Sequence, residues 1–83
     1  MEEIEYMEFY HVLWKDKNGT NPCYYVEGTR QSNGDILAVR WKVTSFIRDD
    51  GKRIRVKYES TFYVGVFPAT CKIRELKKNP FKD

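Results

Sequence analysis

The sequence predicts an all-β fold, a small antiparallel meander of about five strands forming a twisted sheet or a small barrel. Three observations predict it. Turn signals divide the chain evenly: Lys17-Asn18-Gly19, Ser32-Asn33-Gly34-Asp35, Asp49-Asp50-Gly51-Lys52 and Phe67-Pro68-Ala69-Thr70. The runs between them are rich in Tyr, Val, Ile, Phe, Trp and Thr, residues that suit a pleated, half-buried surface. About the two central turns, apolar and polar residues alternate in phase on both flanks, the period of a strand.

The first segment, Ile4 to Trp14, is strand-like but out of clean phase. Ile4, Tyr6, Tyr10, Val12 and Trp14 share one parity, while Met7, Phe9 and Leu13 share the other. A bulge or burial on both sides accounts for that. Asn18-Gly19-Thr20 fits a glycosylation triplet but reads as a turn, because nothing at the start of the chain resembles a secretory leader.

Asn33-Gly34, taken as a two-residue turn, pairs Tyr24 with Val43, Val26 with Trp41 and Gly28 with Val39 on an apolar face. The polar face then pairs Tyr25 with Lys42 and Glu27 with Arg40. Asp50-Gly51, treated in the same way, sets Ile47 opposite Ile54, Ser45 opposite Val56, Val43 opposite Tyr58, Val39 opposite Phe62 and Leu37 opposite Val64. Its other face carries Arg48/Arg53, Phe46/Arg55, Thr44/Lys57, Lys42/Glu59 and Ala38/Tyr63. Strands near 23–31, 36–48 and 53–66 follow, in a three-stranded sheet with one wet face. The last segment, Thr70 to Pro80, fits either a strand or a short C-terminal helix capped by Thr70 and stopped at Asn79-Pro80.

"GVFPATCKIREL", residues 65–76, resembles the end of an SH3 domain, where a Gly-x-x-Pro turn leads into the closing strand. Ile73 stands where that spacing would place Lys72, and the family's opening tyrosine motif and paired tryptophans are missing. The resemblance implies an SH3-like or OB-like barrel as a shape, and no ligand site is carried over from it.

Eighty-three residues make one domain, 1–83, with 77–83 read as a loose basic tail. Thirteen aromatic residues (two Trp, six Tyr, five Phe) supply core area that so short a chain otherwise lacks. The net charge of +3 is mild, but its distribution is uneven. The first eleven residues hold Glu2, Glu3, Glu5 and Glu8 and no cation, whereas 40–57 hold seven Lys or Arg against two Asp. Without a leader or a long apolar run, the chain reads as cytoplasmic. Cys23 and Cys71 fit neither a metal knuckle nor a redox pair and read as free thiols.

Catalysis is not expected. His11 is the only histidine, no Ser, Thr or Cys sits in an activating motif, and Asp49-Asp50 belong to a turn. No cofactor or metal is expected either. The basic-aromatic strip of Phe46, Arg48, Arg53, Arg55, Lys57 and Tyr63 points instead to a non-enzymatic binding module for nucleic acid, a nucleotide or another phosphorylated ligand. The cations would meet phosphates, and Phe46 and Tyr63 would stack on bases. The competing reading is a protein-binding inhibitor or adaptor, such as a virus-encoded counter-defence factor, anchored by exposed aromatics among Tyr10, Trp14, Tyr24, Tyr25, Tyr63, Phe67 and Phe81. Charge placed only to keep exposed strands soluble is the bland account of the same strip. A homodimer formed through an open sheet edge is a further expectation.

Overall fold

A computed structural model describes residues 7–57 and 60–81. They form six antiparallel strands: β1 (Glu8–Leu13), β2 (Cys23–Arg30), β3 (Ile36–Ile47), β4 (Arg53–Arg55), β5 (Phe62–Phe67) and β6 (Lys72–Leu76). The order across the sheet is β4-β3-β2-β1-β6, and β5 continues the β4 side by pairing with the first half of β3. The all-β meander read from the sequence is therefore the fold, as a sheet curled into a half-barrel. Of the two conformations open to the last segment, the strand forms, because β6 pairs antiparallel with β1 from Phe9↔Leu76 to Leu13↔Lys72. The short helix is absent.

One side of the sheet carries the core. Tyr10, Val12, Val26, Ile36, Ala38 and Phe67 are buried together, with Trp14, Tyr24, Trp41, Cys71 and Ile73 packed against them. The aromatic members meet edge to face: Tyr24 and Phe67 lie 5.0 Å apart at 61°, and Tyr24 and Trp41 5.5 Å apart at 83°. That geometry brings ring edges to ring faces and adds to the burial. Burial on both sides explains the mixed phase of β1. Tyr10 and Val12 enter the core, while Phe9 turns outward beneath Phe81, 6.5 Å away.

Both central turns differ from the expected two-residue form. Gly34 N–H donates to Gln31 O and Gln31 N–H to Asp35 O; Gly51 N–H donates to Arg48 O and Arg48 N–H to Lys52 O. These are three-residue loops, each a type I turn followed by a glycine at positive φ (+95° at Gly34, +83° at Gly51). Asp-Gly and Asn-Gly serve this loop as well as the tighter one. The choice shifts register by one residue.

On the β2–β3 ribbon a bulge cancels that shift. Arg30 pairs with Ile36 and Gly28 with Ala38, then Val39 is skipped and Glu27 pairs with Arg40. From there Tyr25↔Lys42, Val26↔Trp41 and Tyr24↔Val43 are the pairs the sequence predicts. Before the bulge the parity is the reverse of expectation: Ile36 and Ala38 are buried, while Leu37 and Val39 are exposed.

On the β3–β4 ribbon nothing cancels the shift. Ser45 pairs with Arg55, Phe46 with Ile54 and Ile47 with Arg53, which corrects the expected Ile47/Ile54 and Phe46/Arg55 pairs. Further along, Trp41↔Phe62, Arg40↔Tyr63, Ala38↔Gly65 and Leu37↔Val66 replace the expected Val39/Phe62, Ala38/Tyr63 and Leu37/Val64. The change of register falls between β4 and β5; the expected partners Tyr58 and Glu59 lie outside the described residues, as do Ile4 and Tyr6.

The turn at 17–19 forms as read. Asp16 gathers it, accepting from the Thr20 hydroxyl and, at 2.9 Å, from Thr20 N–H, while Gly19 closes onto Asp16 O at φ +78°. Up to Phe81 the segment expected as a loose basic tail is anchored: Phe81 is buried against the outer side of the sheet. Cys23 and Cys71 are unbridged, the first buried and the second half-buried. No helix among the described residues is long and apolar enough to cross a membrane.

Candidate nucleic-acid interface

The register slip decides which predicted residues share a face. Arg53 and Arg55 flank Ile54 and so point away from the core, beside Ser45 of β3. Phe46 pairs with Ile54 and lies on the opposite side of that ribbon, so Arg55 and Phe46 are not brought together. Arg48 occupies the hairpin loop, where its guanidinium holds Asp50 at 2.6 Å. Lys57 is exposed in the bend after β4, and Tyr63, 71% exposed, stands on β5 opposite Arg40 at the other end of the sheet. The strip proposed from the sequence is thus divided: Arg53 and Arg55 stay together, while Tyr63 stands at the far end of the outer face.

That surface gains members that were not singled out as site residues. On β1, His11 pairs with Tyr25 of β2 on one side and Arg74 of β6 on the other; Leu13 pairs with Cys23 and Lys72. Since partners in register project to the same side, the outer face reads across as Arg74, His11, Tyr25 and Lys42, and in the next row as Lys72, Leu13, Cys23, Ser45 and Arg55. Two shallow hollows meet at His11. Tyr25, Thr44, Ser45 and Arg55 line one, and Leu13, Cys23, Lys72, Ile73 and Arg74 the other. Among the described residues, no carboxylate lines either hollow.

The cations differ in what they can do. Arg53 is largely committed: it donates to Ser45 Oγ at 2.9 Å, Cys23 Sγ at 3.4 Å and Asn21 O at 3.2 Å, stapling the loop before β2 to the hairpin. Arg40 pairs with Glu27, as the sequence predicts, and its guanidinium carbon also lies 4.3 Å from the Phe81 ring centroid. Lys42 Nζ stands 5.7 Å from Tyr25 and 5.4 Å from Phe81, within cation–π range of both. Arg55, Lys72 and Arg74 are exposed.

His11 registers this field. Its half-buried ring packs edge-on to Tyr25 at 5.8 Å. Burial, then the charges of Arg74 and Arg53, hold its pKa below the ordinary histidine value, so the ring is neutral at pH 7. A neutral imidazole beside a tyrosine offers an aromatic surface inside a cationic rim. Among the described residues no group of three or more His, Cys, Asp or Glu is placed to hold a metal ion.

Arg53 and Arg55 were visible as outward residues of a hairpin. Lys72 and Arg74 were not, because their alternation has meaning only once residues 72–76 are known to be a strand. His11 lay in plain view of the chain but acquires its surroundings from β6 and β4. No protein-family model matches the chain, and neither a curated protein nor a solved structure matches it.

Proposed function

We propose that the chain is a non-enzymatic binding module that holds nucleic acid on its outer sheet face. The observation that carries this reading is the placement of Arg53 and Arg55 of β4 and Lys72 and Arg74 of β6 on either side of the His11–Tyr25 pair of β1 and β2, about two hollows with no carboxylate among their described lining residues. Cations of exposed strands placed only for solubility would be interleaved with acids; here they converge on aromatic rings. Arg55, Lys72 and Arg74 meet phosphates, and Tyr25 and His11 present rings on which an unpaired base stacks. Among the described residues the face presents shallow hollows and stacked rings, which suit an unpaired strand, so single strands are favoured and sequence preference is weak.

Fluorescence anisotropy of a labelled single-stranded oligonucleotide tests it. Binding should weaken steeply with salt, the log–log slope falling by roughly 0.7 for each phosphate contact removed. Arg55→Glu with Arg74→Glu should lower affinity at least about tenfold, and Arg48→Glu, off the face, should change it little. Salt-independent binding, or none at about 50 mM salt, sinks the reading.

A further inference from the structure

The far half of the outer face has the opposite character. Leu37, Val39, Tyr63, Val64 and Val66 are 47%, 40%, 71%, 81% and 55% exposed, and Met7 borders them at 43%. They are contiguous: Leu37 pairs with Val66, and Val39 and Val64 stand across from each other where the β3–β5 ladder is interrupted. Val64 sits there at φ +63°, a conformation that β-branched residues rarely adopt. Such strain is kept where surroundings over-determine it, yet in the single chain Val64 is the most exposed large apolar residue described. The six side chains leave on the order of 600 Å² open, at the top of the range for the largest patch of a monomer.

We propose that this patch is the contact between two copies of the chain, related by a two-fold axis near Val64. Three features favour a second copy over another partner. The area supplied from each side, about 600 Å², reaches the low end of a standard two-fold interface of roughly 1,200–2,000 Å² in total. Among the described residues the patch carries no charge, so it meets itself without like-charge repulsion, whereas the cationic half would not; packing there sets the two basic surfaces at opposite ends. Tyr63 Oη is the single side-chain polar atom among the apolar members, so little is present that would select a foreign surface, while self-association needs only shape. The inference is independent of the nucleic-acid reading.

Sedimentation equilibrium of the whole chain from about 1 to about 100 μM tests it. The expected mass rises to twice 10.0 kDa, and it should persist in about 1 M salt, where exposed charge interactions are screened. Leu37→Lys with Val64→Lys should restore the monomer with an unchanged far-ultraviolet spectrum; Arg55→Glu should leave the dimer intact. Should the double variant fail to fold, Val64→Cys provides a second readout, cross-linking the dimer on mild oxidation where the wild-type chain does not. A monomer at about 100 μM overturns the proposal and leaves the patch to a different protein. So does a dimer that Leu37→Lys with Val64→Lys does not weaken, or a Val64→Cys chain that does not cross-link.

Discussion

At Gly28 the backbone of β3 leaves no room for a side chain on β2, and replacing the glycine with alanine tests the bulged register directly. A methyl group there would stand 2.2 Å from Leu37 O, 2.8 Å from Ala38 Cα and 2.9 Å from Leu37 C. All three are backbone atoms, so no side-chain rotation relieves the clash, and β3 must lift away from β2 beside Val39. Overpacking of this kind costs about 1–3 kcal/mol, and each weakened ladder hydrogen bond adds about 1 kcal/mol. Gly28→Ala should therefore lose about 3 kcal/mol, a large part of the roughly 4–12 kcal/mol expected of an 83-residue domain. Gly51→Ala is the control. Its methyl would meet nothing within 4 Å, and only the left-handed backbone at φ +83° opposes it, at about 1–2 kcal/mol. Urea unfolding followed through Trp14 and Trp41 reads both variants, with a midpoint shift of about 3 M for Gly28→Ala at a slope near 1 kcal/mol/M. If Gly28→Ala costs no more than Gly51→Ala, the strands do not approach as described and the bulge at Val39 is misplaced.

Tyr10 donates to Glu8 Oε1 at 2.8 Å, and burial, followed by that bond and the charges of Glu8 and Glu75, pushes its pKa up to about 12. Because the folded value exceeds the ordinary one, this stabilisation is complete below about pH 10 and is lost as pH rises towards about 12, by at most about 2–3 kcal/mol. Thermal melts between those limits should fall for the wild type and fall less for Tyr10→Phe. For Asp16, the Thr20 hydroxyl bond, aided by the backbone amides around it, holds the carboxylate below its usual range. Its contribution is present above the unfolded carboxylate pKa and fades as pH drops through the lower folded value; Asp16→Asn should flatten that acid limb of the melting curve. Phosphate bound beside His11 would favour the imidazolium, so oligonucleotide affinity should increase as pH falls from 7 to about 5.5, and His11→Phe should abolish the increase. Phe81→Ala should cost about 3–5 kcal/mol in urea unfolding, since it removes a buried ring shared by Phe9, Arg40 and Lys42.

The meander, its hairpins and the pairing of residues 24–27 with 40–43 are legible in the sequence because period-two alternation there has one consistent solution. The tips are not. Ser-Asn-Gly-Asp and Asp-Asp-Gly-Lys satisfy two loop geometries that differ by one residue, and composition does not choose between them. Residues 36–39 are Ile, Leu, Ala and Val, apolar at both parities, so no pattern warns that a bulge reverses their sides. The candidate site inherits these ambiguities. Arg53 and Arg55 share a face in either register, which is why they survive the correction, whereas Arg48 and Phe46 depended on the register that does not form. Lys72, Arg74 and His11 join them through β6, the one segment whose conformation the residues left open.

The bulge at Val39 makes a single strand belong to two different surfaces. Beyond it β3 sends Arg40 and Lys42 outward; before it, the same side receives Leu37 and Val39. Deleting that one residue would carry Ile36 and Ala38 to the outside and Leu37 inside, making three apolar side chains change sides. Hydrophobic burial hardly distinguishes the two arrangements, so the commitment of this strand rests on backbone geometry at Gly28 rather than on water avoidance. An otherwise inconspicuous glycine thereby governs which face of the molecule is sticky and which is charged.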